Sequence, residues 1–176
     1  MKKVANTSRL FFFCALSIVV FAVSNNARAA DTAPQVSLNV SKAVPRSVEA
    51  LTQRSLLRDY KFAWVNLAQA LESNATESLN GLFAGTASKW LNESVKTQRR
   101  GGLTSRYLNQ SHKVEAVFYA PEGDVIELHD AAEYDYQILD GNKIIHNEHA
   151  IVRYVVLMTP GADRWVVRQL QAVPQF

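Results

Sequence analysis

The stretch Lys143–Thr159 constrains the fold of this chain more than any other part of the sequence. It contains neither glycine nor proline and is rich in β-branched and aromatic residues, which is typical of a central strand rather than an edge strand. Its second half carries apolar residues on both faces, so we expect both faces to be covered there. Asp140-Gly141 directly before it indicates a tight hairpin, because a type I′ turn requires positive φ angles that these residues adopt at low cost. The sequence therefore predicts a curved antiparallel sheet.

Residues 1–29 are organised like a cleavable signal peptide. Three basic residues precede the apolar run Leu10–Val23, and Ala27-Arg28-Ala29 matches an A-x-A cleavage site. The apolar run is shorter than the roughly 20 residues that a membrane-spanning helix needs, and an uncleaved anchor is the alternative interpretation. We predict a bacterial protein that is exported to the periplasm or secreted, is cleaved after Ala29 and has no membrane span after processing.

Removal of this segment changes the charge balance of the chain. The whole sequence has 19 Lys and Arg against 16 Asp and Glu, and four of the basic residues lie within 1–29, which leaves 15 against 16. Without a basic excess, nucleic-acid binding loses its main support. The one cysteine, Cys14, also lies within 1–29, so the exported chain has no disulfide and its core must suffice for stability.

The remaining chain divides into an irregular segment and one domain. Residues 30–45 are polar, contain two prolines and predict a flexible linker, in which 36–40 is a candidate short strand. Residues 46–176 predict a single domain, because this length suits one hydrophobic core.

Helical and strand periodicities follow one another along this domain. Apolar residues recur three and four positions apart within 46–72, a capping-box sequence at Asn74 starts a short second helix, and 86–100 forms a third helix with Trp90 in the core. Beyond it the period falls to two, and glycine-containing turns separate four strands, expected at 107–120, 125–139, 143–159 and 164–173. The predicted fold class is α+β, with N-terminal helices packed on a curved four-stranded antiparallel meander.

Several apolar motifs mark this order of elements. They are Trp64 in the first helix, Leu79–Gly85 and Lys89-Trp90-Leu91 across the second and third, Ile151–Leu157, and Arg164-Trp165-Val166-Val167. In these motifs the chain resembles the nuclear-transport-factor-2-like superfamily (the cystatin-like α+β cone) and, within it, the IMS-type domains of plastid-division proteins, over about Ala50–Val173. The resemblance implies this fold and a ligand site in the apolar concavity between helix and sheet. The superfamily includes isomerases, dehydratases and cyclases as well as non-catalytic modules, and the isomerase catalytic residues have no match here.

The hairpin expected at 125–159 carries polar residues on one face. With Asp140-Gly141 as its two-residue loop, Asp135 lies opposite His146 and Glu133 lies opposite Glu148. Paired carboxylates beside an imidazole could bind a metal or shift one another's pKa. The simpler interpretation is a solvated end of a sheet face.

The other face of this hairpin is apolar apart from Asp130, His149 and Arg153, and it includes Tyr134. A buried charge is costly unless it has a partner, so Asp130 and Arg153 are expected to meet across the strands. Asp130, Arg153, Tyr134 and His149 are the predicted ligand-binding residues, because such a set could bind a polar group of a small ligand. The alternatives are a closed ion pair without function and, in an enzyme, Asp130 or His149 as general base with Arg153 or Tyr134 as electrophilic support.

A basic cluster surrounds the end of the third predicted helix. It consists of Lys96, Arg99, Arg100 and Arg106. An anionic partner is one interpretation, and the attraction of cations to a helix C-terminus is the other.

Together these features favour an exported, non-catalytic binding or assembly module that recognises a partner protein or a small apolar ligand. The binding surface would be the concavity between helix and sheet or the outer face of the sheet. A small-molecule isomerase, dehydratase or cyclase is the alternative function. A third interpretation is a homodimer through the outer sheet face, where these residues are expected to be exposed together: Val152, Tyr154, Val156, Trp165 and Val167. We expect no cofactor, no metal and no nucleic-acid partner.

Overall fold

Three long antiparallel strands form the centre of the domain, which a computed structural model describes over residues 33–176. The predicted signal peptide lies outside the described residues. In chain order the elements are β1 (Gln35–Asn39), β2 (Val44–Pro45), α1 (Ala50–Ser73), α2 (Gly85–Arg100), β3 (Leu103–Tyr119), β4 (Ile126–Asp140), β5 (Lys143–Pro160) and β6 (Trp165–Val173). The strands form one six-stranded mixed sheet, and the helices and the inner strand residues share one core. The α+β class is confirmed.

The sheet is larger than the predicted four-stranded meander. β3, β4, β5 and β6 form that antiparallel meander, but β1 and β2 add two short strands that run parallel to β3. Residues 35–39 and 44–45 therefore belong to the sheet, and the candidate strand at 36–40 is present as β1. Val36 and Leu38 pack against the core while their neighbours face solvent, and this alternation explains why the segment pairs.

α1 buries one continuous stripe of residues against the sheet. The buried positions recur three or four residues apart, as the periodicity predicts; they are Leu56, Asp59, Tyr60, Ala63, Trp64, Leu67, Ala70 and Leu71. The Asp59 carboxylate accepts hydrogen bonds from the Arg58 guanidinium at 2.7 Å and from the backbone N–H of Trp165 at 2.8 Å. The second of these bonds attaches α1 to the first residue of β6.

The predicted second helix is only a single 3₁₀ turn, Glu77–Leu79. The residues after it join the sheet, because the Ala84 N–H donates to the Val167 carbonyl and the Val167 N–H donates to the Leu82 carbonyl, each at 2.9 Å. These bonds hold the start of α2 on β6.

α2 matches the predicted third helix, but its orientation differs from the expectation. Its buried residues are Ala87, Leu91 and Val95, each four positions after the last. Trp90 lies beside this narrow stripe and is 55% exposed. The prediction that Trp90 is a core residue is therefore wrong.

The register between β4 and β5 also differs from the expectation. Asp140 pairs with Lys143, so the loop is Gly141-Asn142, and Ile145 is an extra residue in a β-bulge. Gly141 has a φ of 57°, and Asn142 is not among the residues with positive φ. Positive φ at the first loop position alone suits a type II′ turn, because the expected type I′ turn requires it at both positions. Asp135 consequently lies opposite His149, not His146.

This register reverses the predicted faces of β5. Even-numbered residues of both strands now point to the core, because a slip by an odd number of residues moves every side chain to the other face. Tyr154, Val156, Trp165 and Val167 are buried, whereas they were expected to form an exposed dimer face. The outer face does not present this apolar set.

Gly85 provides a test of how closely α2 approaches β6. Its φ is 57°, and an added Cβ would lie 3.1 Å from the Arg168 carbonyl oxygen. A non-glycine residue in the left-handed region costs about 1–2 kcal/mol. We expect Gly85→Ala to lower the free energy of unfolding by more than this cost, because the added Cβ would also crowd the Arg168 carbonyl. Gly102→Ala is the matched control, since Gly102 has a φ of 69° and open space around it. Urea denaturation of both variants makes the comparison, and equal losses would contradict a rigid contact between α2 and β6.

Candidate functional site

An open cavity lies between α1, α2 and the inner face of the sheet. Its volume is about 470 Å³, which falls within the size range of small-molecule sites. The lining residues are mostly aromatic or aliphatic; they are Trp64, Leu67, Leu71, Trp90, Leu91, Glu93, Ser94, Thr97, Gln98, Leu103, Ser105, Tyr107, Tyr136, Ile138, Tyr154 and Leu170. The concavity expected between helix and sheet is therefore present as open space rather than filled core.

Aromatic rings form the deep wall of this cavity. Trp64 lies 5.5 Å from Tyr154 and 6.3 Å from Tyr107, measured between ring centroids. A hydrogen bond of 2.9 Å joins the Tyr154 and Tyr134 hydroxyl groups. Burial raises the pKa of Tyr107, Tyr134 and Tyr154 above the ordinary tyrosine value, so these hydroxyl groups stay protonated and neutral.

A connected set of polar groups lies beside these rings, since Tyr136 pairs with Tyr107 across β3 and β4. Gln98 donates to the Leu71 carbonyl at 2.6 Å and to the Asn74 side chain at 2.7 Å, and it accepts from Ser105 Oγ at 2.5 Å. Ser105 Oγ is also 3.0 Å from the Tyr136 hydroxyl. These groups hold one another in place and donate all of their hydrogens within the set or to the backbone, so they leave uncharged acceptor oxygens beside the apolar space.

Charge is scarce around the cavity. Among the described residues that line it, Glu93 is the charged one, and its carboxylate accepts a hydrogen bond from Arg100 at 2.8 Å. No lysine or arginine within residues 33–176 lines the cavity. The site therefore offers aromatic surface and neutral hydrogen-bonding groups, and no cation for an anionic ligand.

Behind the deep wall, a buried polar triad links α1 to the sheet. The Tyr60 hydroxyl donates to Asp130 Oδ2 at 2.6 Å, and His112 Nδ1 donates to the same oxygen at 2.7 Å. All three side chains are buried. Burial, together with the nearby Asp130 carboxylate, raises the pKa of Tyr60 well above its ordinary value, which keeps the phenol protonated as a donor.

Trp64 lies between this triad and the cavity. It lines the cavity, and its ring centroid is 4.4 Å from that of His112. Neither Asp130 nor His112 belongs to the cavity lining. The predicted charge at Asp130 is thus buried beneath the site and not exposed within it.

The predicted pair between Asp130 and Arg153 is wrong. Asp130 lies opposite Tyr154, and Arg153 lies opposite Ala131, so the two side chains point to opposite faces of the sheet. Arg153 is exposed, and its guanidinium donates to the Pro174 carbonyl at 3.4 Å. The error follows from the register, which places Arg153 outside.

His149 also lies on the outer face. It contacts Asp135 at 2.9 Å and Glu133 at 3.3 Å, and Asn109 donates to Asp135 at 2.6 Å. Hydrogen bonding to His149, and then to Asn109, lowers the pKa of Asp135, and the same Asp135 contact raises the pKa of His149. Within residues 33–176, no group of three or more His, Cys, Asp or Glu is placed to hold a metal ion.

Of the four predicted site residues, Tyr134 lies nearest to the cavity. It is buried and touches the cavity wall through its hydrogen bond to Tyr154. The sequence analysis did not predict Tyr60 and His112 as site residues. Tyr60 lies in the apolar stripe of α1, and His112 lies at a position of β3 whose side chain points to the core. Trp90 was assigned to the core, but it lies at the exposed rim of the cavity.

The basic cluster at the end of α2 is partly neutralised. Arg100 pairs with Glu93, and Arg106 pairs with Glu72 at 2.6 Å. These are exposed pairs of the kind that contribute little to stability. They weaken the interpretation of this cluster as an anion site.

The comparisons with known proteins concern the fold. No protein-family model and no curated protein matches the chain. Among solved structures, the chain is similar to the crystal structure of the intermembrane space region of the chloroplast protein ARC6, with a TM-score of 0.56 and 14% sequence identity over 73% of this chain and 98% of that one. At this identity the likeness shows a related α+β fold. Neither helix of residues 33–176 is long and apolar enough to cross a membrane.

The buried triad gives a stability test with a control on the same hairpin. We expect Asp130→Ala to lower the free energy of unfolding by about 3 kcal/mol, because it leaves the buried Tyr60 hydroxyl and His112 imidazole without their acceptor. Arg153→Ala, on the neighbouring strand but exposed, should change it by less than about 0.5 kcal/mol.

Chemical denaturation of the two single variants and the double variant measures both effects. The coupling between Asp130 and Arg153 should stay below about 0.5 kcal/mol. A large loss in Arg153→Ala, recovered in the double variant, would restore the ion pair and contradict the register described above.

Proposed function

We propose that this chain is an exported, non-catalytic binding module that takes a neutral, largely apolar ligand into the cavity between α1, α2 and the sheet. The observation that carries the proposal is the open cavity itself, whose wall is aromatic and whose polar groups are uncharged. Pockets with an apolar lining and a few placed polar groups are typical ligand sites. Export rests on the signal-peptide pattern of residues 1–29, and membership of the nuclear-transport-factor-2-like superfamily rests on the motifs together with the likeness to the ARC6 region.

The charges around the cavity define the class of ligand. An anionic ligand would meet Glu93 at the rim and no cation in the lining, so a carboxylate or sulfonate would lose its hydration without compensation. A hydroxyl or amide group of a ligand could instead donate a hydrogen bond to the oxygen of Ser105, Gln98 or Tyr136, whose own hydrogens are already donated. The ligand we propose therefore has an apolar body and an uncharged polar group.

The position of the candidate bases argues against the enzyme alternative. Asp130 is fully buried, and one of its oxygens already accepts from Tyr60 and His112. His149 lies on the outer face, bound to Asp135. A general base must come within hydrogen-bond reach of the proton it abstracts, and neither group lies in the cavity lining.

Two naphthalene dyes of similar shape and different charge test this proposal. We expect neutral N-phenyl-1-naphthylamine to bind with one saturable site and enhanced fluorescence. Its anionic relative 8-anilinonaphthalene-1-sulfonate should bind at least about tenfold more weakly, a difference of about 1.4 kcal/mol. Stronger binding of the sulfonate would contradict the ligand class that we propose.

Trp90 provides the matched variant for the same titration. Trp90→Ala should weaken binding of the neutral dye by about tenfold, since it removes an aromatic ring from the rim. It should leave stability within about 1 kcal/mol of the parent, because the ring is exposed. Phe62→Ala is the control, since Phe62 is an exposed aromatic residue on α1 outside the cavity. Equal binding by the parent and Trp90→Ala, or equal weakening by both variants, would place the dye elsewhere.

A further inference from the structure

The first part of β5 has a partner strand on one side only. β4 pairs along β5 from Lys143 to Met158, whereas β6 begins to pair with β5 only at Arg153. No strand within residues 33–176 pairs with the other edge of residues 143–152. This segment is also exposed on both faces for most of its length.

The end of β6 explains why this edge stays open. β6 ends at Val173, opposite Arg153, and the next residue is Pro174, which has no N–H to continue the ladder. The chain then leaves the line of the strand, because the Phe176 ring stacks on His129 of β4 with centroids 4.4 Å apart and planes inclined by 14°. The terminal residues therefore cover β4 rather than β5.

An unpaired strand edge is a template for another strand, because its N–H and C=O groups face outward in register. Natural edges usually carry protection such as proline, lysine or a bulge. Here Lys143 and the bulge at Ile145 lie near the turn, and His146–Val152 has no proline, lysine or bulge, although it carries one acidic residue, Glu148. Three isoleucines of the segment are strongly exposed, at 48% (Ile144), 51% (Ile145) and 65% (Ile151).

We infer that this edge pairs with the same edge of a second copy of the chain, so that two sheets join antiparallel through Lys143–Ala150. The charge pattern of the segment is self-complementary in this orientation. Lys143 lies at its start and Glu148 near its end, so an antiparallel pair brings Lys143 of each copy beside Glu148 of the other, directly or diagonally. In a dimer with two-fold symmetry this contact occurs twice.

The shape of the domain permits this arrangement. In such a pairing, β6 of the second copy ends opposite its own Arg153, which lies beyond the Gly141-Asn142 turn of the first copy. The ladder is short, and stable interfaces bury about 1,200–2,000 Å² in total, so we expect a weak dimer with a dissociation constant of about 1–100 μM. The inference does not depend on the proposed ligand.

Charge reversal tests the pairing in the exported chain by sedimentation velocity across this concentration range. Lys143→Glu and Glu148→Lys should each weaken dimerisation by about tenfold or more, because each places like charges across the two-fold axis. The double variant K143E/E148K should recover dimerisation to within about threefold of the parent. Glu122→Lys, which changes an exposed charge in the turn before β4, should have no effect.

Two results would overturn the inference. One is a parent chain that stays monomeric up to about 200 μM, twice the upper end of the expected range, where a large fraction of the chain would be dimeric. The other is a dimer that both single reversals leave intact, or that the double variant fails to restore, since either would place the interface on another surface. All exchanged residues are exposed, and far-ultraviolet circular dichroism of each variant checks that the fold is retained.

Discussion

The pairing register between β4 and β5 determines which side chains reach the core of this domain. It points Asp130, Tyr134 and Tyr154 inward and leaves Arg153 and His149 outside. Because side chains alternate along a strand, a slip by an odd number of residues would exchange these sets. The cavity wall, the buried triad and the polar outer face all depend on this one alignment, which the Gly141-Asn142 loop and the bulge at Ile145 fix together.

The inward position of Asp130 gives the register a chemical consequence. A buried carboxylate is destabilising unless hydrogen bonds replace its lost water, and here Tyr60 of α1 and His112 of β3 supply them to Oδ2, while Oδ1 has no hydrogen-bond partner among the described residues. The triad therefore joins the helix to two neighbouring strands at one point. Trp64 packs over it, so the same helix that provides the donor also provides the aromatic wall of the cavity. In this arrangement Asp130 serves the scaffold, and Glu93 is the one charged residue among the described residues that line the cavity.

The sequence contained enough information for the class of fold and for most of the elements. The apolar stripe around Trp64 and the alternation in β5 reflect burial, and burial has a period that can be counted. The register could not be obtained in this way. Asp140-Gly141 and Gly141-Asn142 are both good turn sequences, and a bulge at Ile145 leaves no mark in the pattern. The predicted pair of Asp130 and Arg153 failed for that reason.

The parallel pairing of β1 and β2 and the position of Trp90 at the cavity rim could not be predicted from the sequence for other reasons. β1 is short, and its pairing with β3 is a contact between distant parts of the chain that periodicity does not encode. Trp90 shares a helix with a buried stripe, so its exposure depends on where α2 sits on β6. That position is set by the backbone bonds between Val167 and the residues before α2. Tertiary contacts of this kind determine which residues line the cavity, whereas local sequence patterns determine where the helices and strands lie.

A crystal structure of residues 30–176 with N-phenyl-1-naphthylamine would show directly whether the cavity binds a neutral aromatic ligand. We expect the dye between Trp90 and Tyr136, inside the cavity, with Trp64 still packed on His112 and the Asp130 hydrogen bonds unchanged. Density for the dye on the outer face of the sheet or beside Phe62, with the cavity unoccupied, would contradict a binding site between the helices and the sheet.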